Sequence, residues 1–247
     1  MIPKMLYYRL QQFLMQKNPL RKLLHKVGFD FHRYRPEVDR LEWLTRLNIN
    51  TVFDIGANVG QFAKEIRALL PRSKIYSFEP VKECFEKLSS NFKNDNNFQA
   101  LNIALGETTG KSTINKSSYT PSSSLLSMAE SHKKLFPHSR NSEKEEIEIK
   151  RLDDIYREVK PEKELLVKVD TQGYEDKVIS GGIQTFSDAK VLIIETSFVK
   201  LYENQPLFDQ IHDKMKSLNF SYRGSLHQKI DPKTGEVIFE DSIFLRA

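Results

Sequence analysis

The residues best placed to do chemistry begin at Asp54-Ile55-Gly56-Ala57-Asn58-Val59-Gly60. A short β-branched, apolar run, Thr51–Ile55, leads into this glycine turn. Phe62, Ile66 and Leu69 follow it at helical spacing. Glycine lets a backbone approach a ligand where a Cβ would clash. The helix start beyond offers free N–H groups and the positive end of a dipole to an anion. A dinucleotide site wants G-x-G-x-x-G with the pyrophosphate at that helix. Here the spacing is D-x-G-x-x-x-G, and an acid ahead of the loop would repel a pyrophosphate. It suits a ligand with an ammonium beside its carboxylate, such as the methionine part of S-adenosylmethionine. Glu79 ends the next strand, where a carboxylate can accept both hydroxyls of a ribose. Taken singly, Asp54 reads as a turn or cap residue and Glu79 as a turn acid before Pro80. Taken together they read as a nucleoside site.

Two further carboxylates end strands. Leu165–Asp170 and Val191–Glu195 are the most continuously apolar segments, the pattern of the middle of a parallel sheet. Their ends face the ligand crevice of such sheets. A carboxylate there can take the proton of a hydroxyl under alkylation, or hold a divalent metal that acidifies it. Alignment of two bound reactants supplies much of the remaining acceleration. Asp170 is the first candidate for base or metal ligand and Glu195 the second, with capping of the next helix as the competing reading of Asp170. For Glu175, stabilisation by a helix dipole is preferred to catalysis. The six histidines are scattered, and His132 reads as a solvated loop histidine rather than a base. Cys84, the single cysteine, reads as a half-buried structural thiol.

These residues are carried by a repeating strand–turn–helix pattern. Lys74–Phe78 forms the second strand and Phe98–Leu105 the third, with Phe85, Leu88 and Phe92 on the helix between them. This βαβαβ alternation predicts a parallel sheet covered by helices on both faces. Residues 111–150 break the rhythm. Eight serines in 112–131 and the run Glu143–Glu146 predict a solvated loop, although Lys111–Asn115 and Ile147–Leu152 alternate like paired strands. Tyr174–Ser180 is a predicted short helix. Leu207, Phe208, Ile211, Met215 and Leu218 mark an amphipathic one. Phe220–Arg223 and Ile238–Leu245 read as a terminal antiparallel pair.

The chain has 247 residues with a net charge of +5, and that charge is uneven. Residues 1–40 carry nine Lys/Arg against three acids, whereas the remainder is net −1. A nearly neutral body weakens a nucleic-acid reading, which wants a basic face on the folded domain. A lone cysteine excludes an internal disulfide framework and a multi-cysteine zinc site. No apolar run reaches membrane-spanning length and no continuous signal-peptide core is present, so a cytoplasmic location is expected. Residues 1–47 read as a basic helical extension, with Met5, Leu6, Leu10, Phe13 and Leu14 at helical spacing. Its alternation of Arg and Lys with Leu and Phe is compatible with peripheral contact to an anionic membrane through residues 1–40. Packing on the body or a dimer contact is the preferred reading.

From about residue 50 onward the sequence resembles the FkbM-type methyltransferases, a branch of the S-adenosylmethionine-dependent enzymes. The resemblance rests on the Asp54–Gly60 motif, Phe78-Glu79-Pro80, Ala104-Leu105-Gly106 and Arg151-Leu152-Asp153. It continues through Val167–Glu175, Ile194-Glu195, Tyr202, Gln205–Phe208 and Asp241–Leu245. The D-x-x-G-x-E block after the fourth strand points to this branch. Family members often carry Glu where Gln172 stands here, which leaves Asp170 and Glu175 as the charged residues of the block.

The resemblance implies that Asp54, Gly56, Ala57, Asn58 and Gly60 hold the methionine part and that Glu79 with Pro80 holds the ribose. Asn102, Ile103 and Ala104 would lie along the adenine, with a plain turn role for Asn102 equally weighted. The expected fold is a Rossmann-like α/β domain over 48–247, with about seven mostly parallel strands and an antiparallel last strand. The expected activity is O-methyl transfer to a hydroxyl on a sugar of a glycan, glycolipid or natural product. A divalent metal at Asp170 and Glu195 is left open. A nucleic-acid methyltransferase is disfavoured because the fourth strand ends in Asp170-Thr171-Gln172-Gly173, not Asn/Asp-Pro-Pro-aromatic. A nicotinamide oxidoreductase is disfavoured by the loop spacing. A non-catalytic binding module is disfavoured by intact Asp54, Glu79 and Asp170.

Overall fold

The computed structural model describes residues 38–246, so the helices read over residues 1–37 lie outside the described residues. A helical turn, Val38–Leu41, runs into a 3-10 turn, Glu42–Arg46. Leu41 and Leu44 are fully buried in the core beside Val52 and Ile66. The compact unit accordingly starts at Arg40.

The body alternates as the sequence pattern requires. Strand β1 (Thr51–Ile55) leads to α1 (Gln61–Leu69), β2 (Lys74–Phe78), α2 (Lys82–Asn91) and β3 (Phe98–Leu101). After an inserted region come α4 (Leu152–Val159), β7 (Leu165–Val169), α5 (Glu175–Gly181), α6 (Ile183–Asp188) and β8 (Ala189–Ser197). Helix α7 (Phe208–Ser217) and the hairpin β9 (Phe220–Ile230) and β10 (Val237–Arg246) close the chain. The seven strands lie in the order β3-β2-β1-β7-β8-β10-β9. Neighbours from β3 to β8 pair in parallel, and β10 is antiparallel to both β8 and β9. This is the expected Rossmann-like α/β architecture with its antiparallel last strand.

Every residue of β1 and β7 is buried, which explains their unbroken apolar runs. One face packs Phe53, Phe78, Val167 and Leu192 against α4–α7, and the other packs Val52, Ile75 and Leu166 against α1. Phe53 meets Tyr76 and Phe78 edge to face at 5.5 and 5.7 Å. The C-terminal end of α1 is tied down by Arg67. It pairs with Asp95 and donates to the carbonyls of Leu70, Pro71, Ser73 and Asn97.

The region after β3 departs from the expectation of a loop. The predicted third strand stops at Leu101, and Ala104–Gly106 (β4) leaves it for a second sheet of order β4-β6-β5. Here β5 (Gly110–Ser117) pairs antiparallel with β6 (Ser142–Arg151) over eight positions. The charged run Glu143–Glu146 belongs to β6, and Leu152 opens α4 rather than ending the strand. Pairing across the ladder overrides low β-propensity, because Ile114, Ile147 and Ile149 turn inward onto Val81, Cys84 and Ala104. Between β5 and β6 sits helix α3 (Glu130–Leu135), flanked by 3-10 turns at Thr120–Ser122 and Pro137–Ser139.

Among the described residues no helix is long and apolar enough to cross a membrane.

Candidate active site

Strand order reverses between β1 and β7. The connections after them diverge to opposite faces and open a crevice at the carboxyl edge. A cavity of about 350 Å³ fills that crevice. Its floor is Gly56, Ala57 and Asn58 after β1, and one wall is Glu79, Pro80, Ile103 and Ala104. Across from these stand Lys168, Asp170 and Gln172, with Leu226, His227 and Asp241 from the terminal hairpin. Tyr119 to Leu125 of the insertion, Ser122 aside, complete the enclosure.

Asp54 lies beneath the loop, fully buried. Ser77 Oγ donates to its Oδ2 at 3.2 Å, and Oδ1 is buried without a hydrogen-bond partner. Burial raises its carboxyl above the usual range, opposed by the Lys168 ammonium. Glu79 is gripped at both oxygens. The Val81 N–H donates to Oε1 and the Asn58 N–H to Oε2, each at 2.8 Å. Burial pushes its carboxyl up to about 7, against the pull of those two donors.

The two glycines of the loop serve the protein itself. Gly56 has φ +80°, and a Cβ on it would stand 1.8 Å from the Asp170 carbonyl oxygen. At Gly60, φ +91°, a Cβ would strike Leu88 of α2 and Phe92 just past its end. Together they let β1 close against β7 and let α1 start beside α2. Gly56 also lines the cavity, so its lack of a side chain serves the packing of the protein and leaves the floor open as well. Gly60 lies outside the cavity wall. So does Asn102, which is exposed and donates to the carbonyls of Glu79 and Pro80.

Asp170 faces the cavity with both oxygens engaged. Lys168 Nζ donates to Oδ2 at 3.1 Å and Gln172 Nε2 to Oδ1 at 2.8 Å. The same Nε2 donates to Glu195 Oε1 at 3.0 Å, and the Tyr202 hydroxyl donates to Gln172 Oε1 at 2.9 Å. Glu195 sits within β8 rather than at its end, buried behind Gln172 and out of the cavity wall. Burial, then the Asp170 charge, lifts its carboxyl well above the usual range. Asp170 does not cap α5. The Glu175 carboxylate secures that loop instead, accepting from the N–H groups of Thr171 and Gly173.

Burial would lower the Lys168 ammonium, but Asp170, Asp54 and Asp241 outweigh it and raise it. Burial also brings Asp241 up to about 6. A lysine inside an otherwise apolar strand, two residues before Asp170 and so on the same face, was the signal available for it. Asp241 stood in the closing stretch of the family resemblance without a site role, and His227 had no local signal, because only the sheet order brings the hairpin to this edge. Among the described residues no group of three or more His, Cys, Asp or Glu side chains is arranged to hold a metal.

His132 is not a solvated loop residue. It is 2% exposed, its Nε2 lies 2.9 Å from Ser139 Oγ, and its ring sits 5.0 Å from that of Tyr202. Burial lowers its pKa, so it packs as a neutral ring. Cys84 is buried rather than half-buried, and burial raises its thiol.

Residues 54–222 match the methyltransferase FkbM domain, and the chain belongs to that family. The chain is 31% identical over 153 residues to the methyltransferase sdnD of Sordaria araneosa. That match takes in 53% of this chain and 59% of the relative's length. It is 26% identical over 172 residues to the 2-O-methyltransferase NoeI of Sinorhizobium fredii, 67% of this chain and 71% of that one. Aeropyrum pernix fibrillarin, solved with natively bound S-adenosyl-L-methionine, aligns at a TM-score of 0.44 and 10% identity. The alignment spans 80% of this chain and 66% of that one.

Proposed function

We propose that this FkbM-family methyltransferase moves the methyl group of S-adenosylmethionine onto a hydroxyl oxygen of a sugar. The single observation that carries the reading is one cavity lined by both Glu79 and Asp170. Family membership brings S-adenosylmethionine as methyl donor, and this site fits it. The buried, unpartnered Asp54 Oδ1 is an acceptor beneath the loop, and Glu79 is a fixed carboxylate on the wall. Asp170, Asp54 and Asp241 act on one ammonium, Lys168, and with Glu79 on the same cavity wall the acids outnumber it and so favour a sulfonium-bearing cation. Glu79 and Pro80 would hold the ribose, and Ile103 and Ala104 the adenine.

Asp170 takes the acceptor's proton as the new O–C bond forms, and Lys168 and Gln172 keep its carboxylate turned to the cavity. Alignment in an enclosed cavity supplies the rest. The Sinorhizobium relative is a 2-O-methyltransferase, which supports oxygen as the acceptor atom. Tyr119, 49% exposed at the rim, with Thr120, Ser123 and Ser124 beside it, suits the apolar face and hydroxyls of a sugar ring. The same ring of carboxylates repels a phosphate backbone, which disfavours nucleic acid.

The test is transfer of labelled methyl groups from S-adenosylmethionine into fractionated glycan, glycolipid, RNA, protein and small molecules. Label in glycan or glycolipid, resistant to mild base and lost in Asp170→Asn, is the expected result. Label confined to RNA or protein refutes the sugar. For the cytoplasmic, membrane-touching reading of residues 1–40, equal liposome pelleting of full chain and a 1–40 deletion refutes the contact.

A further inference from the structure

The Gln172 carboxamide makes three hydrogen bonds at the reacting centre, using both of its N–H donors. Its two N–H bonds are divided between Asp170 Oδ1, at 2.8 Å, and Glu195 Oε1, at 3.0 Å. Its oxygen receives the Tyr202 hydroxyl at 2.9 Å. An amide donates only from nitrogen and accepts only at oxygen, so this set of partners admits one orientation of the group. The backbone is held as firmly. Gln172 has φ +55°, a left-handed conformation that costs a side-chain-bearing residue free energy and persists only where neighbours enforce it. Ser124 Oγ donates to its carbonyl at 2.7 Å, and Glu175 fixes the N–H groups on either side.

Two carboxylates that approach one group from two sides are the usual signature of a shared cation. Here the shared group is a neutral –NH₂. The remaining Asp170 oxygen faces Lys168, so neither oxygen of that carboxylate lacks a donor.

Resting on the reading of Asp170 as base, we propose that Gln172 is the positioning residue of the transfer, its amide standing where a divalent cation would bridge Asp170 and Glu195. The chain thereby orients its base without a metal. The assignment makes a second statement, independent of any acceptor. Replacing the amide by a carboxylate of the same length brings three carboxylates onto one point and creates a divalent-cation site.

The experiment uses the full chain, with Mn²⁺ as probe and thermal melting as readout, at pH 7.5. S-adenosylmethionine binding is measured alongside by calorimetry. One millimolar Mn²⁺ should move the melting temperature of the unsubstituted protein by less than about 1 °C. It should raise that of Gln172→Glu by about 3–6 °C, the size expected for binding about tenfold above Kd in a domain of this length. The double variant Gln172→Glu/Glu195→Gln should lose the rise, which separates this site from acidic patches elsewhere. Across pH 6–8 without Mn²⁺, Gln172→Glu should lose melting temperature more steeply than the unsubstituted protein, because it must ionise one more buried acid. Conservative Gln172→Asn should show neither effect.

A Mn²⁺ response of several degrees in the unsubstituted protein overturns the proposal. So does a Gln172→Glu variant that folds, binds the cofactor and ignores Mn²⁺. Failure of every form to bind S-adenosylmethionine would instead strike the methyltransferase reading of the cavity, so the two failures are distinguishable.

Discussion

Glu79 should couple cofactor binding to pH. Burial holds its carboxyl at about 7, where an ordinary glutamate titrates at 4.5. The N–H groups of Val81 and Asn58 pull the value down but do not restore it. A ribose that donates two O–H bonds needs the ionised form, so binding must expel a proton that the empty site holds. At pH 6 only about 9% of a group with pKa near 7 is ionised, and at pH 8 about 90%. If the complex keeps Glu79 ionised throughout, affinity rises about tenfold from pH 6 to pH 8, or ~1.4 kcal/mol. The assay is calorimetric titration with S-adenosylmethionine at pH 6, 7 and 8, in two buffers of different ionisation enthalpy. Glu79→Gln runs in parallel to cancel the cofactor's own titration. It should bind more weakly at every pH and lack this slope. Identical slopes in the two proteins, or no net proton release from the unsubstituted one near pH 6.5, would refute the reasoning.

Without ligand, stability should fall as pH rises from 5 to 8. Glu79 and Glu175 are raised to about 7 and Asp241 to about 6, so the native state holds protons that the unfolded chain has released, and that advantage disappears as pH passes through those values. A melting temperature that climbs steadily over this range would contradict the burial of these acids. Gly56→Ala should cost at least ~3 kcal/mol by chemical denaturation, since it adds a Cβ 1.8 Å from a carbonyl oxygen at φ +80°. A loss below ~1 kcal/mol would mean that the β1 loop does not abut β7. Arg67→Ala should cost about 2–4 kcal/mol, because four carbonyls and Asp95 lose a charged donor. Denaturant midpoints unchanged within error would show those bonds to be solvent-exchanged.

What could be read from the sequence was what is local. Thr51–Ile55 and Lys74–Phe78 are strands as the pattern required, because strands buried on both faces need unbroken apolar runs. Asp54, Glu79 and Asp170 were findable because each sits at the end of such a run. In the second sheet the alternation of Lys111–Asn115 and Ile147–Leu152 did mark paired strands, while the charged start of β6, Glu143–Glu146, was obscured because its ladder with β5 and not its composition holds it. Helix α6 was hidden behind Gly181-Gly182, which reads as a stop but closes tightly enough to let the chain turn into a new helix. His132 misled because a serine-rich context signals solvent, while the fold carries it onto Tyr202. The wall made by His227 and Asp241 depends on β10 inserting between β8 and β9, a non-local pairing that no window of residues records.

The contact between Gly56 and the Asp170 carbonyl has a consequence for how such a protein can change. It joins the β1 loop to the end of β7 through main chain alone, so the distance between them does not depend on any side chain. The cavity's other walls come from elsewhere, from the β5–β6 insertion and the terminal hairpin. Those segments can be lengthened, recoloured in charge or exchanged, while the spacing between the β1 loop and the end of β7, on which the proposed transfer depends, is left unaltered. Change in the outer walls is thereby uncoupled from the geometry of the proposed reaction centre, so a new acceptor could be accommodated without rebuilding it.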